Sequence, residues 1–206
     1  MRFMTRVSLG VLAVQGPARA AEPRIAPASE SAWSDEQREL VSRFAQGRAA
    51  TNDLRTYLHH PVLAKNIMPF ERYISNDSTL SARHRELLIL RTAWVCRSEY
   101  VWAHHADAAR KAGIGSAELT RIARGPDAPG WDSFDASLLR AAYELHVSAF
   151  VSDATWNALA AKYDTRQMMD AVFTVAEFTM VSGTVNSAGV EIVAGFKDRL
   201  PPAIPS

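Results

Sequence analysis

With a single cysteine, Cys96, among its 206 residues, the chain forms no internal disulfide and cannot run a two-thiol redox cycle alone. Nor does any apolar run approach the roughly 20 residues of a membrane-spanning helix, so no membrane anchor is expected. Dense Lys/Arg tracts are missing too: 23 basic residues face 22 acidic ones, a net charge of +1, which argues against nucleic acid or an anionic membrane surface as partner. Ten Gly and ten Pro are too few for a fibrous or low-complexity chain. Sustained period-two alternation is absent as well, which removes strands and leaves an all-α reading. What remains is an ordinary globular composition, 48% hydrophobic and 22% charged, long enough for one well-buried core or two small ones.

The first twenty residues have the three-part form of a secretory signal: Arg2 and Arg6, the apolar run VSLGVLAV over 7–14, then small residues at Ala18-Arg19-Ala20. An Ala-rich extension or an upstream start codon is the other reading. Cleavage after Ala20 would remove three of the basic residues and no acidic one, turning the mature chain mildly acidic. The expected location is periplasmic or secreted, with cytoplasmic as the alternative. The domain plan is then a signal over 1–20, an irregular lead-in over 21–33, a helical domain over 34–200 and a Pro-rich tail over 201–206.

Helices are expected over 36–46, over a short segment capped by Asn52 and ended by His60-Pro61, and over 62–75. The strongest signal is 81–97, where Ser81 is a cap and Leu80, Leu87, Leu88, Trp94 and Val95 recur at helical spacing; this helix is expected to be buried on more than one face. A helix from about Ser98 to Ala112 ends at Gly113, and another runs from Ser116 to Gly125-Pro126. After the loop GPDAPGW, helices are expected over 133–148, from Asp153 to Tyr163, and from Thr165 to Gly183 or beyond. Residues 165–190 loosely echo 84–114, a weak sign of internal duplication.

The densest set of reactive side chains is RHRELLILRTAWVCRSEYVWAHH, from Arg83 to His105. Glu86 stands among the apolar residues of the strong helix, while Ser98, Val101 and His105 share one face of the next at spacings of three and four. Packed antiparallel, the two helices bring Glu86 to His105. His104 lies roughly 100° further round an ideal helix and is expected to be exposed or at a subunit contact.

This frame resembles the carboxymuconolactone decarboxylase and alkylhydroperoxidase D-like superfamily. The likeness rests on Glu86, eleven residues, Ser98, two residues, Val101, three residues, His105, then Ala108, Ala109 and Gly113, flanked by RELLILR and EYVWAHHADAARKAGI. Peroxidase members carry cysteines where this chain has Ser98 and Val101, and Cys96 falls two residues too early to share their face. The sequence is therefore closer to the decarboxylase-like branch that lacks the cysteine pair.

The resemblance implies a compact helical subunit in a homo-oligomer, a trimer or a multiple of one, with no metal or organic cofactor. It also implies a lyase chemistry in the catabolism of aromatic compounds: decarboxylation, or a related carbon-carbon cleavage or proton shift, on a small carboxylate or lactone. Losing carbon dioxide leaves negative charge that needs a proton donor and a stabilising cation or hydrogen-bond donor. In that scheme His105 is the donor, with Glu86 fixing its tautomer. Arg91 or Arg85 holds a carboxylate, and Tyr100, Trp102 and Ser98 complete the binding wall. The rivals are a non-catalytic helical binding or assembly protein on the same scaffold and a peroxidase using Cys96 with an external thiol. His59 and His60, even with Glu71 or Asp53, do not form a recognisable metal frame.

Overall fold

The computed structural model describes residues 22–45 and 47–203. The signal-like segment over 1–20 lies outside the described residues. Among those described there are helices and connections only: α1 (Asp35–Ala45), α2 (Asn52–Tyr57), α3 (Pro61–Arg72), α4 (Ala82–Val95), α5 (Glu99–Lys111), α6 (Ser116–Arg124), α7 (Ser133–Ser148), α8 (Asp153–Ala160) and α9 (Thr165–Ala188). The all-α reading holds, and no described helix is long and apolar enough to cross a membrane.

Local chemistry sets most boundaries. The Ser81 hydroxyl accepts from His84 N at the start of α4, and Asp132 caps α7 through Phe134 N and Asp135 N. Asp164 and Gln167 form a reciprocal capping box at α9. Gly113, at φ 87°, supplies the left-handed residue that ends α5. Two expectations are corrected. Thr51, not Asn52, stands at the N-cap position of α2, and the Asn52 amide instead donates to Glu191 O at 2.9 Å. The echo of 84–114 in 165–190 is not structural, because 165–188 is one unbroken helix whereas 82–111 is two.

α4 is the central element. Every residue from Glu86 to Ala93 is buried, because the helix is surrounded by α5, α6, α7 and α9. A helix covered on all sides loses the amphipathic stripe of a surface helix, which is why apolar residues occupy so much of its circumference. The main core gathers Leu87 to Leu90 with Trp102, Leu138, Leu139, Val175 and Phe178. A smaller core, formed by Leu40, Leu54, Tyr57, Leu58 and Ala64 with Phe44 and Met68 against it, belongs to α1–α3. From α9 the chain runs back as a non-helical strap over α5, held by Arg110 to Asp198 at 2.7 and 3.0 Å and by Arg97 Nη1 to Pro201 O at 3.3 Å.

A candidate active site at the seam between two cores

α4 and α5 are joined by Cys96, Arg97 and Ser98, with Arg97 in the left-handed region at φ 54°. So tight a turn makes the helices antiparallel neighbours. It sets Glu86, three turns before it, beside His105, two turns after it. His105 Nδ1 donates to Glu86 Oε2 at 2.9 Å. Glu86 is only 4% exposed, and the His105 ring meets the edge of Phe178 at 4.7 Å, so acid and ring are both held. With Nδ1 committed to the carboxylate, Nε2 is the nitrogen left for a ligand.

His105 lies in the wall of a cavity of about 270 Å³. One side comes from the small core (Phe44, Leu54, Met68), the other from the main core (Val101, Phe178, Val181). Polar groups break that apolar lining at Asp53, Glu71, Tyr100 and His104, with Arg48 and Arg72 toward the open side. The cavity thus occupies the seam where two separately packed cores meet.

The polar groups are interlocked. The Tyr100 hydroxyl donates to Asp53 Oδ1 at 2.9 Å and accepts from Asp53 N at 3.2 Å. Burial and the Asp53 carboxylate push the Tyr100 phenol above its ordinary range. Burial, with Asp53 and Glu177 nearby, pushes the Glu71 carboxyl up to about 8. Glu177, 2% exposed on α9, is pushed up to about 7 by burial. Glu71 Oε2 and Glu177 Oε1 are both shielded from solvent without a hydrogen-bond partner.

Raised carboxyls have a consequence for stability. A carboxyl whose folded-state pKa exceeds its unfolded value contributes stability below the ordinary carboxylate range, lost as pH rises through the folded value. Glu177→Gln is therefore expected to stabilise the fold by on the order of 2 kcal/mol at pH 8.5 and by almost nothing at pH 4.5. Urea midpoints at the two pH values test this, and an equal shift at both would refute it.

The other sequence candidates lie elsewhere. Arg91 is buried away from the cavity, with Nη1 donating to Ile122 O at 3.1 Å and Ala123 O at 2.9 Å. Its intended role on a substrate carboxylate fails because the last carbonyls of α6 already occupy it. Arg85 is outside the cavity lining, with Nε shielded and unpartnered. Trp102, 1% exposed, is a main-core residue, and Ser98 stands fully buried at the N-cap position of α5 with its hydroxyl unpartnered. Neither lines the cavity. Val101 does, so the face predicted for Ser98, Val101 and His105 reaches the cavity through its last two members.

His104 is neither exposed nor turned away. Its ring lies between Tyr100 at 4.3 Å and Phe196 of the strap at 4.1 Å, and burial drives its pKa down to about 4. What covers that face is the strap and the α2 side of the seam, which α5 alone does not reveal. Cys96 is also off the cavity, 3.5 Å from His146 Nδ1, with its thiol pushed up by burial. His59 Nε2 donates to Ala26 O, and His60 Nδ1 accepts from Leu63 N at the start of α3. Among the described residues no group of three or more His, Cys, Asp or Glu is placed to hold a metal ion.

Asp53 and Glu71 in the cavity wall, with Glu177 near Glu71 but outside the lining, were not predicted as a group. A signal existed: Glu71 interrupts the apolar series Ile67, Phe70, Ile74, and Glu177 the buried series Thr174, Phe178, Val181. A carboxyl on an apolar face marks either an ion pair or a site.

Residues 61–144 match the carboxymuconolactone decarboxylase family. No match is found among curated proteins. In structure the chain is similar to an uncharacterized peroxidase-related protein from Ralstonia eutropha JMP134 with an alkylhydroperoxidase AhpD core, at TM-score 0.71 and 19% identity, over 85% of this chain and 96% of that one. It is similarly close to an uncharacterized peroxidase-related protein from Silicibacter sp. TM1040, at TM-score 0.71 and 14% identity, over 93% of this chain and 100% of that one. These likenesses establish the AhpD-like fold.

Proposed function

We propose that this member of the carboxymuconolactone decarboxylase/AhpD-like superfamily is a cofactor-independent lyase, acting on a small oxygenated carboxylic acid or lactone. The observation that carries the reading is the Glu86–His105 hydrogen bond opening onto the seam cavity, in a chain whose peroxidase cysteine positions hold Ser98 and Val101. Decarboxylation or a related cleavage places an electron pair on a carbon that must then be protonated. His105 Nε2 is the donor to that carbon, and the Glu86 carboxylate fixes the tautomer and steadies the imidazolium.

A peroxidase cycle through Cys96 finds less support, since the thiol lies off the cavity and burial disfavours its thiolate. A purely structural scaffold has no use for an acid-oriented histidine facing an open cavity. Two further parts of the proposal rest on other features. Export is carried by the signal form of residues 1–20. Self-association is carried by exposed apolar side chains at the end of α7 and just after it (Tyr143, Val147, Phe150) and along α9 (Met169, Phe173).

The test is a thermal-shift screen of oxygenated aromatic acids and lactones against the wild type, Glu86→Gln and His105→Ala, followed by carbon dioxide release assays on the hits. The expected result is a class of acids or lactones that stabilises the wild type and is turned over by it alone. Hits bound and turned over equally by all three folded proteins would overturn the assignment.

A further inference from the structure

Glu71 is the one carboxyl in the cavity wall that makes neither an ion pair nor a hydrogen bond among the described residues. Asp53, by contrast, is engaged by Tyr100. Two arginines line the same cavity, yet Glu71 Oε2 stays shielded and unpartnered. Glu71 as a residue is half-buried, but that oxygen is withdrawn from water, and a carboxylate with a shielded, unpaired oxygen is costly and keeps its proton instead. The groups facing it reinforce that. Asp53 and Tyr57 come from α2, Tyr100 from α5 and Glu177 from α9, all of them acids. The cavity therefore offers a ligand an O–H donor from α3 as well as the Glu86–His105 pair from α4 and α5.

Resting on the lyase reading above, we propose that Glu71 is a second proton donor of this cavity, placed to hydrogen-bond a carbonyl oxygen of the ligand while His105 serves the carbon. The ligand class narrows accordingly to acids or lactones that pass through an enolate. When the bond to the departing carboxylate breaks, its electron pair moves onto the adjacent carbonyl, carbon dioxide leaves, and the oxygen becomes anionic. That oxygen takes the Glu71 proton to give an enol. The carbon then takes the proton of the His105 imidazolium while the enol returns its proton to Glu71. Solvent reprotonates His105, so one proton is consumed for each carbon dioxide released. The carboxyl pushed up to about 8 fits this use, since it keeps its proton at neutral pH.

The probe is tetronic acid, a small lactone that is an enolate at neutral pH, titrated calorimetrically against the wild type, Glu71→Gln, Glu177→Gln and His105→Ala between pH 6 and 9.5. A neutral carboxyl donating to an oxyanion is a strong hydrogen bond, and its ionisation replaces attraction by repulsion, so wild-type affinity is expected to fall at least ~10-fold from pH 7 to pH 9.5. Glu71→Gln keeps an N–H donor and is expected to lose that pH dependence, while Glu177→Gln retains it. A pH dependence unchanged in Glu71→Gln, or abolished by Glu177→Gln instead, overturns the inference and leaves the lyase reading standing. Binding that ignores His105→Ala overturns the lyase reading itself, and absence of tetronate binding by the wild type at every pH overturns both. Independently of any ligand, the infrared carbonyl band of protonated carboxyls at pH 7 is expected to shrink in Glu71→Gln. An unchanged band refutes the proton on Glu71 whatever the ligand.

Discussion

Replacing Arg91 with alanine is expected to lower folding stability by about 3 kcal/mol while leaving ligand binding in the cavity intact. The guanidinium is only 5% exposed and sits over the Trp94 ring at 4.6 Å, with Tyr143 at 5.8 Å. Its Nη1 serves the carbonyls of Ile122 and Ala123 in the final turn of α6; Ile122 O also accepts the Gly125 N–H at 3.1 Å, whereas Ala123 O has Arg91 as its partner. The fit is close. Gly125, at φ 98°, leaves room where a Cβ would stand 3.0 Å from Arg91 Nη2. Hydrogen bonds from a charged donor contribute about 1.5–3 kcal/mol each, partly offset by the cost of burying the charge. That cost is visible in the pKa, which burial lowers to about 10 without discharging the group at neutral pH.

Alanine leaves the Ala123 carbonyl unpaired, strips Ile122 O of one of its two donors and opens a void beside Trp94 and Tyr143. Arg91→Met refills the void and is expected to recover roughly 1 kcal/mol, consistent with what buried apolar surface returns. Urea midpoints at constant m-value give the comparison. An unchanged midpoint together with lost ligand binding would instead restore Arg91 as the holder of a substrate carboxylate.

That residue shows where reading the sequence ran out. RELLILR announces a helix, and the periodicity of 81–97 points to α4, its cap and its burial on more than one face. Local rules handle these because capping and apolar spacing are decided within one turn. The partner of Arg91 is set by α6, more than thirty residues away, and no spacing within α4 distinguishes a guanidinium that caps a neighbouring helix from one that binds a ligand. Trp102 and Ser98 illustrate the same limit. Their side of α5 was legible, but whether that side meets a cavity or the core depends on what α1–α3 and α9 bring to it.

The pair Glu86–His105 was accessible for the opposite reason. It depends only on two consecutive helices and the tight turn at Cys96–Ser98, so spacing and antiparallel packing suffice. The seam itself was not legible. It arises because the short helices α1–α3 pack a small core of their own, and the boundary between that core and the main one is what leaves space. Glu71 and Asp53 border that space from the α1–α3 side, which explains why a reading centred on 83–105 reached only the α4–α5 side of the cavity.

For a substrate identified by the screen, His105→Gln is expected to reduce kcat by roughly 10³-fold with KM changed only a few-fold. A glutamine amide has nearly the reach of imidazole and donates a hydrogen bond, but it cannot deliver a proton to carbon. Ground-state contacts therefore survive while the transition state loses its acid. Glu86→Gln is expected to cost at least ~10²-fold, again in kcat, because a neutral amide no longer stabilises the imidazolium and can hold the ring in the wrong tautomer. The double variant should be little worse than His105→Gln alone, since Glu86 acts through the ring it orients. Additive losses in the double variant would show that Glu86 acts on the substrate independently. Equal kcat in wild type and His105→Gln would remove the imidazole from the chemistry altogether. Phe178 makes the comparison clean: it packs against the position-105 side chain in the cavity wall, so a variant that stays folded keeps its amide there.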